Sequence, residues 1–175
     1  MSLRACVISL AIACLPVAAF AGNPELRLPA FDHLQRSAVE SVNITIGHKL
    51  LALATFALKH NEPHDEEALE VLRGIESITV RSYEFDADGM YSKADIDSVR
   101  AQLTAPGWSP LAQVKQRDQG ENVDVYVSLD HDKVNGVAIV ASSARKFTIV
   151  NVVGTIDPGK LAALQERLGV PGLSM

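Results

Sequence analysis

The four carboxylates between residues 84 and 95 come closest to a recognisable chemistry. Counting from Glu84, acids fall at positions 1, 3 and 5 as Glu84, Asp86 and Asp88. Gly89 is at 6, Tyr91 at 8, Ser92 at 9 and Asp95 at 12. Oxygen ligands at alternate positions, with a glycine for the sharp turn, are the pattern of a calcium loop. Two departures count against it: position 1 is Glu, and Asp95 is shorter than the glutamate that ligates through both oxygens. The segment before the loop also reads as a strand, where a calcium loop has a helix. The competing reading is a solvated strand-to-helix turn with Ser92 as N-cap.

Two further clusters could do chemistry. His60 and His64 are four apart, and Asp65, Glu66 and Glu67 follow. Histidines at that spacing on one helix can hold zinc, but Pro63 between them breaks the helix. Asp130-His131-Asp132 sets carboxylates beside an imidazole, which suits a general base and equally suits a polar hairpin tip. The chain carries no G-x-S-x-G elbow and no Gly-rich phosphate loop. No catalytic residue is assigned, and the chain is read as non-catalytic.

The elements that would position these groups follow from hydrophobic periodicity. Val42, Ile44 and Ile46 alternate with polar residues, so 41–47 reads as a strand. His48 to His60 is apolar nearly all round, which predicts a helix buried on several sides. Leu50 to Leu58 could instead line a pocket for a lipid or another apolar ligand. Asp65 to Gly74 reads as a short helix with acids in its first turn, where they complement the dipole. Ser77 to Phe85 is a strand, and Ser92 to Leu103 is a helix with Ile96, Val99 and Leu103 as its stripe, ended by Pro106-Gly107. Strands then fall near 111–116, 122–129, 134–141 and 146–155. On the second of these, Val123, Val125 and Val127 point one way and Asp124, Tyr126 and Ser128 the other. A last helix starts at Asp157, with Leu161, Leu164 and Leu168 as its stripe. The fold class is α+β: a two-layer sandwich of one mostly antiparallel sheet of about six strands, with helices on one face.

Both faces of the last two strands look apolar, since Val137 and Ile139 oppose Ala138 and Val140, and Val150 opposes Ile149. Val137, Ile139 and Val150 are therefore candidate partner contacts. Trp108, beside Pro106, Gly107 and Pro110, is either an exposed anchor or a plug for one end of the core.

The chain has 175 residues, 47% of them apolar and 21% charged, which excludes a disordered chain, a collagen-like repeat and a multi-span membrane protein. A net charge of −5 argues against nucleic acid as partner. Residues 1–21 have a basic start at Arg4, an apolar stretch and Ala19-Phe20-Ala21, the marks of a cleaved signal peptide. Cleavage would remove both cysteines, Cys6 and Cys14, and leave no stable membrane span. Ala11-Ile12-Ala13-Cys14 loosely matches a lipidation site, but the apolar stretch continues past Cys14. The expected organisation is a signal peptide over 1–21, a lead-in segment over 22–40, a single domain over 41–168 and a tail over 169–175.

Several stretches carry a family resemblance. They are 42–47 before an apolar helix, Gly107-Trp108 before a strand, 120–127 (GENVDVYV) and 150–157 (VNVVGTID). Over roughly Leu28 to Leu168 the chain resembles the domain of unknown function 4252 family of exported bacterial proteins. The resemblance implies an exported α/β domain and transfers no catalytic residue. The reading that results is a periplasmic or envelope domain without a cofactor, binding another envelope protein or a second copy of itself. The alternatives are an apolar small-molecule carrier and a calcium-binding domain built on Glu84, Asp86, Asp88 and Asp95.

Overall fold

The computed structural model describes residues 23–61, 71–116, 120–131 and 133–156. The segment 1–21 expected to be a signal peptide, most of the helix expected over 65–74, the helix expected from Asp157 and the expected tail lie outside them. Six strands form one open sheet: β1 (Glu40–Gly47), β2 (Ile75–Glu84), β3 (Trp108–Gln116), β4 (Glu121–Asp130), β5 (Lys133–Ser142) and β6 (Lys146–Ile156). Their order is β1-β2-β6-β5-β4-β3, and every neighbouring pair is antiparallel. Among the described residues, helices α1 (Asp32–Ser37), α2 (His48–Asn61) and α3 (Lys93–Leu103) accompany them, and 71–74 are also helical. The α+β architecture read from the sequence is the one observed. None of the described helices is long and apolar enough to cross a membrane.

Local signals explain the helix ends. Ser92 caps α3 in a capping box with Asp95, each side chain meeting the other's backbone N–H. Val99 and Leu103 on its stripe are fully buried. α1 is short, because Ala38 turns extended at φ −73°, ψ 141° and β1 already begins at Glu40.

The sheet has an inner face, under α1, α3 and the lead-in segment, and an outer face. On the inner face Tyr83, Phe85, Val140, Ala138, Phe147 and Ile149 form the core with Phe31, Leu34, Val99 and Leu103. Phe31 meets Tyr83 edge-on at 6.1 Å and Phe147 at 6.0 Å, while Tyr91 stacks on Phe147 at 5.4 Å and on Phe85 at 5.7 Å. Such pairs add about 0.5–1.5 kcal/mol each beyond area burial.

At one end of the sheet two backbones cross with no room for side chains. A Cβ on Gly154 would lie 2.3 Å from the Gly74 carbonyl oxygen, and one on Gly74 would lie 2.2 Å from that of Thr155. Gly154 also holds φ +149°, which suits glycine alone. This accounts for the glycine between the β-branched residues Val152, Val153, Thr155 and Ile156 of β6.

Candidate functional site

Among the described residues, the outer face carries apolar side chains that lie outside the buried core cluster. Strand registers place Ile44, Val80, Val150, Ile139, Val125 and Ala112 side by side in one row across the sheet. A second row runs from Ile46 through Ile78, Val152 and Val137 to Val127. None of these side chains is fully buried; Ile44 is exposed and the others are half-buried. By contrast, Ala138, Val140, Phe147 and Ile149, which alternate with them, are at 0% exposure. The doubly apolar character expected of the last two strands is thus present, and Val137, Ile139 and Val150 are brought together on the outer side.

Trp108 is on the other side. It is half-buried, packs against the inner core and lines a cleft of about 250 Å³ with Leu26, Arg27, Gln102, Ala105 and Pro106. A second cleft of about 280 Å³ lies near Glu121, Ser142, Ser143, Lys146 and Thr148. Among the described residues, neither is lined by Leu50, Leu51, Leu53 or Phe56. Of the described side chains on the helix expected to be buried on several sides, Leu51 is buried, whereas Leu50, Leu53 and Phe56 are 58%, 63% and 63% exposed. Among the described residues, α2 contacts chiefly β1 and β2.

The acids of the 84–95 loop are dispersed. Glu84 accepts from Lys146 at 3.1 Å and Asp88 from Arg145 at 2.6 Å. Asp95 caps α3 and meets His33 Nε2 at 2.9 Å, and Asp86 is exposed. The loop is anchored by its aromatic ends, Phe85 and Tyr91, which enter the core, and Tyr91 donates to the Ser143 carbonyl. Among the described residues no group of three or more His, Cys, Asp or Glu side chains converges as a metal would require. Burial pushes the Asp95 carboxyl up, but hydrogen bonds from the Ser92 hydroxyl and amide and from His33 outweigh it, so its pKa is lowered. His131 Nδ1 meets Asp130 at 2.8 Å on an exposed turn, and Asp132 lies outside the described residues. So do His64, the acids at 65–67 and the side chain of His60.

Two polar constellations on the inner face were not singled out from the sequence. Asn151, 2% exposed, clamps the lead-in segment: its Oδ1 accepts the Leu26 N–H at 3.0 Å and its Nδ2 donates to the Pro24 carbonyl at 3.1 Å and the Val137 carbonyl at 3.3 Å. Gln102 on α3 does likewise for Arg27, accepting its N–H at 2.8 Å and donating to its carbonyl at 3.0 Å. Gly136 makes room beneath, since a Cβ there would lie 2.6 Å from that of Pro24. Side-chain amides thus replace a neighbouring strand, and residues 24–27 run over the sheet as a strap. The second constellation is Asp124, 2% exposed, which is paired with Arg100 of α3 and accepts from Gln113 of β3 at 2.7 Å. Burial, with the Asp124 carboxylate beside it, pushes the Tyr126 hydroxyl up. Both carboxylate oxygens of Asp124 are engaged within the fold, so the cluster ties α3 to the sheet.

Comparison with known families decides the kinship. The DUF4252 profile, a domain of unknown function, matches residues 35–164. The chain belongs to the DUF4252 family. No curated protein and no solved structure matches it. In this DUF4252 chain the match takes in all six strands and α3, including Asn151 and Gln102, while the strap they hold lies just before it.

Proposed function

We propose that this DUF4252 chain is an exported, non-catalytic domain of the bacterial cell envelope that works by binding another protein. The observation that carries the reading is the apolar row Ile44–Val80–Val150–Ile139–Val125–Ala112, which crosses the whole outer face without a charge. Contiguous apolar surface of this kind marks interaction sites on soluble proteins. The dispersal of the loop acids and the engagement of Asp124 within the fold add support. Export rests on the basic, apolar and small-residue pattern of 1–21.

The test is site-specific photo-crosslinking in cells. A crosslinker at Ile139 is expected to yield a discrete adduct with another polypeptide in the envelope fraction. One at Gln35, exposed on α1 over the inner face, is expected to yield none. Equal adducts at both positions, or none at Ile139, would overturn the proposal.

A further inference from the structure

The sheet has two edges, and they are built differently. β3 is blunted in the ways that edge strands usually are: Pro110 lacks an N–H, the pairing slips between Pro110 and Ala112, and Lys115 adds charge. β1 has none of these devices. It pairs with β2 over its full length, Glu40 to Gly47, without a register shift. Between Ser41 and Gly47 it carries no charge and no proline. Among the described residues its outer edge has no strand beside it.

We infer that β1 pairs antiparallel with β1 of a second copy of this chain, joining the two sheets into one. The sequence of β1 is self-complementary in one register. Directly opposed residues in an antiparallel pair share a face, so a two-fold axis must pass beside a single residue. With the axis at Ile44, that residue meets its own copy and Val42 meets Ile46, so the apolar outer row continues from one copy to the next. On the inner side Asn43 meets Thr45. Glu40 reaches His48 and Lys49 at the start of the other copy's α2, an acidic group against a basic end at both limits of the ladder. With the axis one residue earlier, at Asn43, Glu40 would instead oppose Ile46, an unfavourable neighbour for a carboxylate. Because the β3 edge is blunted, pairing through β1 stops at two copies and builds no fibre. Ile44 belongs both to this edge and to the outer row, but the pairing runs through the backbone edge of β1 and does not rest on the outer face meeting another protein.

Sedimentation velocity of the purified protein is expected to give twice the chain mass. Ile44 is 45% exposed, so Ile44→Lys is expected to keep the fold by circular dichroism and sediment at the mass of one chain. Val114→Lys, at 48% exposure on the blunted edge, is expected to leave the doubled mass unchanged. A second pair of variants reports even where Ile44→Lys does not fold. With Cys6 and Cys14 changed to Ser, Ile44→Cys is expected to give a disulfide-linked pair on mild oxidation, and Val114→Cys none. A single-chain mass for the unaltered protein, a doubled mass that survives in folded Ile44→Lys, or equal crosslinking at 44 and 114 would overturn the inference.

Discussion

Replacing Asn151 with Ala tests the strap directly. The substitution removes three hydrogen bonds, from the Leu26 N–H and to the Pro24 and Val137 carbonyls. Each is worth about 0.5–1.5 kcal/mol net, so the set contributes about 2–4 kcal/mol. If the strap lifts away, water satisfies the freed groups, but Leu26, only 8% exposed, then loses its burial. Burying a leucine is worth about 1.5–3 kcal/mol, so the second route costs a similar amount. For a domain of this size 1 kcal/mol shifts Tm by roughly 2–4 °C, and Asn151→Ala is expected to melt roughly 5–15 °C lower. The assay pairs thermal and urea unfolding with hydrogen exchange at the Leu26 amide. Asn151→Asp retains the acceptor and loses both donors, so its Leu26 amide is expected to stay protected while overall stability falls. A loss below about 1 kcal/mol in Asn151→Ala, or an unchanged exchange rate at Leu26, would refute the clamp.

Two other perturbations follow from the geometry. Gly154→Ala would drive a methyl into the Gly74 carbonyl and hold alanine at φ +149°, an expected loss of about 3 kcal/mol or more by urea unfolding. Gly120→Ala, at φ +62° in open space, is expected to lose only about 1 kcal/mol. Asp95 gives a pH signature. Its native pKa is lowered, so its stabilising effect is full above the unfolded value of about 3.9 and is lost as pH falls through the lowered native value. Asp95→Asn is therefore expected to flatten the acid limb of a Tm-against-pH profile, and an unchanged slope there would count against the His33–Asp95–Ser92 linkage.

What could be read from the sequence was what is decided locally. α3 was legible because its cap, its stripe and its Pro-Gly stop lie within a few residues of one another. The strands were legible from alternation and the fold class from their order. Alternation does not say which side of a strand is covered. On β4 the valines 123, 125 and 127 face outward, and the side bearing Asp124 and Ser128 is the buried one. That choice is made at a distance, by where α3 and the strap cross the sheet and by Arg100 and Gln113, which make a buried carboxylate tolerable. Asn151 left a trace, since it shares its side with Phe147 and Ile149, and a lone amide on an aromatic face needs partners. Two of its three partners are backbone groups of Pro24 and Leu26, more than a hundred residues earlier and out of reach of any local pattern. The carboxylates at 84–95 have the spacing of a calcium loop, but spacing carries no direction. The anchoring of Phe85 and Tyr91 in the core turns Glu84 and Asp88 toward the 145–146 turn.

The strand order has a consequence for how the molecule comes into being. β3, β4, β5 and β6 form a simple meander, and β1 and β2 pair with each other on the far side of β6. The strand that joins the two blocks is the last of the six to be synthesised. Until it emerges from the ribosome, the early block has no platform and the meander lacks its final member. Between the emergence of β4 and that of β6 the nascent chain therefore carries two incomplete sheets, each with an unpaired flank. Closure is a late event spanning some seventy residues of separation between β2 and β6, the kind of distant pairing that slows folding. A chain ending before Lys146 would retain every turn of the meander up to β5 and still lack the strand against which β2 pairs.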